Sequence, residues 1–186
     1  SNGGYALLGR VIEVVSGQSY EAYVEEHVYA PAGMSRTGGA PKEPFARGYT
    51  YMRKGGAIAL TREDNDFAVP GMGTPAGGGY STVLDLVAFA RALRSGKLVS
   101  QASLDKMLTP HIANERGHYG YGFELTTRNG ETIYGHNGHH FGISAQFDVY
   151  KNSGLIVAVL SNYDPPAAPV VAARIGQLET RTKPSR

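Results

Sequence analysis

The first half of the chain carries apolar residues at the spacing of amphipathic helices. Between Gly4 and Gly17 the apolar stripe consists of Leu7, Leu8, Val11, Ile12, Val14 and Val15. This period predicts a helix, and glycine is typical just beyond a helix end. Ser19 is placed to cap a second helix that runs to about Tyr29, and Pro31 is expected to end that helix.

A third helix is predicted to begin after Thr82. Thr82 and Asp85 have the spacing of a capping box, and Gly96 can close the helix. Its buried face is expected to contain Leu86, Val87, Phe89, Ala90 and Leu93. A short fourth helix should stop before Pro110. Residues 35–80 show no clear period and are interpreted as an extended loop region.

From residue 119 onward the pattern is typical of antiparallel strands. The stretches YGYGFEL and ETIYGHNG flank Asn129-Gly130, a dipeptide that favours tight hairpin turns. A second pair, ISAQFDVY and LIVAVLSN, flanks KNSG, and PAAPVVAARIGQLE predicts a final helix. This order of elements predicts an α+β fold. It places a helical region with long loops in residues 1–117 and an antiparallel sheet with its C-terminal helix in residues 118–186.

Composition and charge exclude several classes of function. The chain has 186 residues, 41% hydrophobic and 18% charged, which is sufficient for a buried core. The formal net charge is only +2 and no basic run is present, so nucleic acid is not an expected partner. There is no cysteine for a disulfide or a thiolate metal site, and no apolar run reaches the ~20 residues that span a bilayer.

Three of the six histidines lie together in GHNGHHFG, residues 135–142. His136, His139 and His140 have the spacing of metal ligands on a helix, but the neighbouring glycines oppose a helix. On a strand, only His136 and His140 would share a face. No carboxylate lies close to them in the sequence to support a metal site. We therefore expect neither a metal nor another cofactor.

Three further motifs are weaker candidates for chemistry. GMGTPAGGGY lacks the pattern of a phosphate-binding loop and is interpreted as a loop that approaches its own core. GYSTV lacks the second glycine of a nucleophile elbow, and Ser81-Thr82 is better explained by helix capping. SLDK, residues 103–106, is the S-x-x-K tetrad of the chain and would place a lysine one turn from a serine. We interpret this tetrad as a solvated helix face.

Residues 1–34 and 135–162, with PAGGGYSTVLDLVAFARAL between them, resemble the superfamily of serine β-lactamases and penicillin-binding proteins. The most similar branch contains class C β-lactamases, D-alanyl-D-alanine carboxypeptidases and esterases. Asn2 matches the asparagine of the family's Y-x-N motif. HNG, residues 136–138, matches K-T-G, where histidine is a known variant at the first position. The resemblance implies an incomplete β-lactamase/transpeptidase-like fold.

The resemblance also implies roles for these residues toward an acyl substrate, such as a β-lactam, a D-alanyl peptide or an ester. Asn2 would help to hold the substrate amide and the catalytic lysine. His136 would act on the substrate or a neighbouring base in a pH-dependent way, because histidine changes its charge near neutral pH. The alternative is that His136 only forms a hydrogen bond across the strand. Asn137 and Gly138 would line the substrate, and the backbone N–H of His139 would form half of the oxyanion hole.

The sequence departs from the family pattern ahead of Asn2. The family's S-x-x-K segment and the tyrosine of Y-x-N belong there, and SLDK comes too late in the order. We therefore expect a C-terminal fragment of a serine hydrolase that supplies the substrate-side wall and is inactive alone. A non-catalytic binding module that retains the fold is the alternative. By resemblance, the compartment is periplasmic, secreted or cytoplasmic in a bacterium.

The same departure has a consequence for the sheet. In the family, strands from the N-terminal part lie beside the strand that corresponds to LIVAVLSN. Without them, this strand would present unpaired backbone groups, which favour pairing with another chain. We expect this edge to pair with the missing N-terminal segment or to support self-association.

Overall fold

The computed structural model describes residues 1–54, 57–66, 73–114 and 117–181. The helical elements are α1 (Asn2–Ser16), α2 (Tyr20–Val24), a π-helical turn (Glu25–Tyr29), α3 (Ala30–Ala32), α4 (Val83–Arg94), α5 (Gln101–Met107) and α6 (Ala167–Arg181). The strands are β1 (Tyr49–Lys54), β2 (Ala57–Asp64), β3 (Ile112–Asn114), β4 (Gly117–Tyr119), β5 (Glu124–Arg128), β6 (Glu131–His140), β7 (Ile143–Tyr150) and β8 (Ile156–Ser161). The predicted α+β class is confirmed.

The chain divides into two compact units. The first unit contains Ser1–Phe45 and Val69–Ser100, and the second contains Ala46–Ala68 and Gln101–Arg186. The antiparallel hairpin β1–β2 belongs to the second unit, although its residues were expected to form loops. The sequence signal for this hairpin is the aromatic and β-branched run that starts at Tyr49.

Helix α1 ends before Gly17 as predicted, and it begins at Asn2, two residues ahead of the predicted stretch. The Ser1 hydroxyl accepts a hydrogen bond from Gly4 N–H at 3.2 Å, and Gly17 adopts a left-handed φ of 71°. The apolar stripe of this helix is largely exposed, with 66% of Leu7 and 81% of Val15 accessible. Gly9 is buried, and a β-carbon there would overlap the ring of Pro75 within the same unit. The close approach of the Pro75 ring to the backbone of α1 therefore explains why this position is a glycine.

The second helix begins at the predicted cap but continues past Pro31. The Ser19 hydroxyl accepts a hydrogen bond from Ala22 N–H at 3.2 Å. Beyond α2 the helix widens into the π-helical turn and ends only at Gly33, where φ is 78°. Proline lacks an N–H and its ring would collide with the carbonyl of His27, four residues earlier, in a regular α-helix. The wider turn removes this conflict.

Helix α4 starts at Thr82 as predicted, and the acidic residue of the capping box has a different partner. The Thr82 hydroxyl accepts a hydrogen bond from Asp85 N–H at 3.1 Å. The buried Asp85 carboxylate accepts from Arg36 N–H and from the Thr37 hydroxyl, both at 2.8 Å. The Thr37 hydroxyl also contacts the Ser81 hydroxyl at 2.8 Å. Asp85 therefore anchors a distant loop to the start of α4.

The remaining predictions for α4 and α5 are mostly confirmed. Ala90 and Leu93 are buried, whereas the other three residues of the predicted face are half-buried. Helix α5 ends at Met107, before Pro110 as predicted.

The large sheet is antiparallel, with the order β3-β4-β5-β6-β7-β8. The predicted β5–β6 hairpin is confirmed, with left-handed φ values of 52° at Asn129 and 75° at Gly130. The β7–β8 hairpin is confirmed as well. Helix α6 packs on β7 and β8, and the core of this packing contains Ile133, Tyr150, Val157 and Ala172. The predicted order of strands and closing helix is thus correct.

The stretch YGYGFEL does not form one strand. Strand β4 ends at Tyr119 and β5 begins at Glu124, with a tight turn between them. Gly120 N–H donates to the Phe123 carbonyl at 2.9 Å, and Gly122 has a φ of 82°. The two glycines therefore form a turn where a strand was predicted.

Strand β8 lies at an edge of the large sheet and pairs with β7 on its other side. Just beyond its end, Tyr49 N–H donates to the Asn162 carbonyl at 3.0 Å.

Within the described ranges, no helix combines the length and the apolar character that crossing a membrane requires.

Substitution Asp85→Ala should destabilise the protein by about 1–3 kcal/mol, because Arg36 N–H and the Thr37 hydroxyl lose a charged acceptor in a buried place. Chemical denaturation monitored by circular dichroism measures the change. The matched control is Asp105→Ala on the exposed surface of α5, where we expect a change below about 0.5 kcal/mol. Equal effects of the two substitutions would contradict the anchoring role.

Candidate functional site

Strand β6 carries four of the five predicted site residues. Strand β5 pairs with it only as far as Gly135, opposite Glu124. Strand β7 pairs with it to the end, where His140 lies opposite Ile143. From His136 to His140, no strand in the described part of the chain pairs with β6 on the side opposite β7. These residues therefore form an open strand edge, which can pair with an extended ligand.

The alternation of the strand separates the three histidines. His136, Gly138 and His140 point to one face of the sheet, and Asn137 and His139 point to the other. This confirms the expectation that only the first and last histidines share a face on a strand. Among the residues that the structure describes, no group of three or more His, Cys, Asp or Glu side chains could hold a metal ion.

The exposed ring of His136 has a hydrogen-bond partner at each nitrogen. Nε2 lies 3.0 Å from the Tyr119 hydroxyl, and Nδ1 lies 2.6 Å from the backbone carbonyl of Asn137. The rings of Tyr119 and His136 meet edge to face, with their centroids 5.7 Å apart and their planes at 88°. The orientation of the His136 ring is therefore fixed by a neighbour from β4 and by its own strand.

The other two histidines of the cluster differ from His136. Nδ1 of His140 accepts a hydrogen bond from Phe141 N–H at 2.9 Å, so this ring turns toward the end of the strand. His139 is exposed and lies opposite Ser144.

Two polar side chains from other segments hold the turn between β6 and β7. The Asp164 carboxylate accepts from Gly142 N–H at 2.8 Å, and the Asn65 amide donates to the Phe141 carbonyl at 2.9 Å. Burial alone would raise the pKa of Asp164, but its donors, which are Gly142 N–H, Tyr51 N–H and the Thr50 hydroxyl, lower the pKa below its ordinary value. The end of the open edge is thus anchored by an ionised carboxylate.

The two glycines of β6 have different surroundings. A β-carbon on Gly135 would overlap the backbone carbonyl of Phe147, so packing excludes any side chain there. A β-carbon on Gly138 would meet only the Ala145 β-carbon, at 3.6 Å, which is an ordinary contact. The internal packing therefore does not explain Gly138.

Asn2, the fifth predicted site residue, belongs to the first unit. It is the first residue of α1 and it is exposed. Because Ser1 caps the helix, the Asn2 side chain is not needed for capping.

The weaker motifs have structural roles. Ser103 and Lys106 of SLDK lie on the exposed surface of α5, which confirms the interpretation as a solvated face. The Ser81 hydroxyl is engaged with Thr37. In the described part of the glycine-rich run, Gly73 N–H donates to the Gly39 carbonyl at 2.9 Å. This contact confirms the interpretation of the glycine-rich run as a loop that packs against its own unit.

Sequence reasoning missed Tyr119, Asn65 and Asp164 as supports of the site. Their contacts join segments far apart in the chain, so no local period reports them. The one local signal is the YGYG turn, which fixes the position at which Tyr119 leaves β4.

Comparisons with known proteins agree with this architecture. A model of the family described as Beta-lactamase matches residues 1–181. The putative penicillin-binding protein PbpX of Bacillus subtilis is 32% identical over 164 residues, which cover 85% of this chain and 38% of that protein. The crystal structure of a penicillin binding protein from Bacillus halodurans has a TM-score of 0.84 at 31% identity, with 95% of this chain and 55% of that chain covered.

A further structural match is the octameric penicillin-binding protein homologue from Pyrococcus abyssi. Its TM-score is 0.83 at 30% identity, and the match covers 98% of this chain and 42% of that chain. The chain therefore spans less than half the length of PbpX and of this homologue.

Substitution Gly138→Ala should leave the free energy of unfolding within about 0.5 kcal/mol of the wild-type value or raise it slightly, because the added methyl group has room and alanine is less flexible than glycine. Gly135→Ala is the matched comparison on the same strand and should cost about 1–3 kcal/mol through overlap with Phe147. Urea denaturation measures both. A large loss of stability in Gly138→Ala would show that Gly138 has a packing role.

Proposed function

Because this chain belongs to the beta-lactamase family, we propose that it forms the substrate-side wall of a serine hydrolase acting on an acyl substrate. The substrate classes we propose are β-lactams, D-alanyl peptides and small esters. The open edge of β6 between His136 and His140 is the observation that carries this proposal. An extended acyl chain would add to this edge through main-chain hydrogen bonds.

The residues of the open edge would each contact a different part of the substrate. Gly138 has no β-carbon to keep a substrate backbone away, and its own packing does not require glycine. The next residue, His139, would contribute its backbone N–H to the oxyanion hole, where a fixed donor stabilises developing negative charge. Asn137, on the same face as His139, would contact the substrate through its amide.

His136 and Asn2 would act through their side chains. His136 would favour a substrate carboxylate when protonated, and its exposed position on β6 supports this role. Asn2 would bind the substrate amide, because its exposed side chain is both a donor and an acceptor.

We propose that this chain by itself forms no acyl-enzyme. A serine nucleophile requires a nearby base, and the S-x-x-K tetrad of the sequence lies on the solvated surface of α5. The position of SLDK after Asn2 also differs from the family order. The same observation favours the second candidate, a binding module that retains the open edge without the chemistry.

The chain should not be labelled covalently by a fluorescent penicillin or by a fluorophosphonate probe. A longer form of the protein that carries an S-x-x-K tetrad ahead of Asn2 should be labelled by both. Gel fluorescence measures the labelling, and Ser103→Ala is the control for SLDK. Labelling of this chain that disappears in that variant would contradict the proposal. Absence of labelling in the longer form would favour the binding module.

We also propose that β8 pairs with a further strand, either from an N-terminal segment or from a second copy. Strand β8 lies at the sheet edge, and 41% of Leu160 is exposed. Among the described strands only β7 pairs with β8, and a free sheet edge is a template for another chain. The octameric homologue shows that a similar protein self-associates.

Size-exclusion chromatography with light scattering should detect concentration-dependent self-association of this chain. Leu160→Lys should abolish it, because a charge on an edge strand opposes pairing. Val170→Lys is the matched control, since this residue is 61% exposed and lies on α6 and not on the edge strand. A wild-type chain that stays monomeric at all concentrations would refute self-association.

A further inference from the structure

The contacts of His136 determine where its protons lie. A backbone carbonyl can only accept a hydrogen bond, so the 2.6 Å contact with Asn137 requires a proton on Nδ1. A neutral imidazole carries one proton, which leaves Nε2 as an acceptor. The 3.0 Å contact with Tyr119 is then a bond that the phenol hydroxyl donates. The neutral ring is therefore held in the Nδ1–H tautomer.

His140 provides an internal comparison on the same strand and the same face. Its Nδ1 accepts from Phe141 N–H, so this nitrogen carries no proton. Neutral His140 must therefore be the Nε2–H tautomer. Two histidines four residues apart are thus expected in opposite tautomers.

The Tyr119 backbone is fixed independently of His136. Tyr119 pairs with Ile112 of β3 on one side and with Glu124 of β5 on the other. Its carbonyl accepts from His111 N–H at 3.0 Å. The YGYG turn follows directly, and Tyr121 N–H is bound to the Met107 carbonyl at 2.9 Å. The phenol therefore extends toward His136 from a rigid base.

We propose that Tyr119 is a positioning residue that holds His136 in one tautomer and one ring orientation beside the open edge of β6. The significance of this role for a substrate rests on the proposed function, whereas the hydrogen-bond arrangement does not. Both nitrogens of the neutral ring are engaged, so a substrate group must replace Tyr119 at Nε2 or act on His136 through the phenol. Tyr119 would thereby determine which ring nitrogen of His136 a substrate contacts.

The tautomers can be measured without any substrate. In the chain labelled with ¹⁵N in its histidine rings, long-range ¹H–¹⁵N spectra at alkaline pH distinguish a protonated from an unprotonated ring nitrogen. We expect His136 to be mainly Nδ1–H and His140 mainly Nε2–H. Tyr119→Phe keeps the edge-to-face ring contact but removes the donor, so the Nδ1–H to Nε2–H ratio of His136 should fall about two- to tenfold. The ratio for His140 should not change.

Tyr121→Phe is the matched control, because Tyr121 lies two residues away and stacks on His111 with centroids 4.2 Å apart. It should leave the His136 ratio unchanged. An Nε2–H wild-type His136 would overturn the proposal, and so would a Tyr119→Phe variant with an unaltered ratio. If the tautomers are as expected and no acyl substrate binds the edge, the positioning role stands and the proposed function fails.

Discussion

The pairing of β6 with β7 is the constraint on which the candidate site depends. Strand β7 follows β6 to His140, while β5 stops opposite Gly135. This difference alone creates the open edge. It also decides which side chains share a face, because a slip of one residue would move His136 to the other side of the sheet. Gly135 supports this register, since only glycine fits against the Phe147 carbonyl.

The turn after β6 depends on charge as well as on shape. Asp164 has a lowered pKa because it accepts hydrogen bonds from Gly142 and Tyr51, with a further bond from Thr50. A carboxyl group with a lower pKa in the folded state stabilises the fold above its unfolded pKa. This contribution is lost as the pH falls through the folded pKa. The open edge is therefore held at neutral pH by a contact that acid removes.

Local signals in the sequence were sufficient for most of the helices and for the β5–β6 and β7–β8 hairpins. They did not report the β1–β2 hairpin or the contacts between distant segments. Asn129-Gly130 predicted its hairpin because a type I′ turn requires left-handed residues. Thr82 predicted the start of α4, but nothing near Asp85 indicates that its carboxylate binds Arg36 and Thr37. The histidine cluster indicated a strand, whereas the side chain that contacts His136 comes from Tyr119, 17 residues away on β4. The candidate site was predicted from residues whose spacing matches a motif, whereas the residues that support it have no such spacing.

The packing of Gly39 against Gly73 limits how the loops of the first unit can change. Added β-carbons would lie about 3.1 Å from neighbouring backbone atoms at both positions, and the same distance separates one on Gly73 from Gly79. Three backbone segments therefore meet closely at these glycines, and the Glu21 carboxylate lies 3.0 Å from the same added β-carbon on Gly39. A loop transplanted from a relative into one segment would have to bring its two partners with it. These segments should therefore be exchanged together in any chimeric protein.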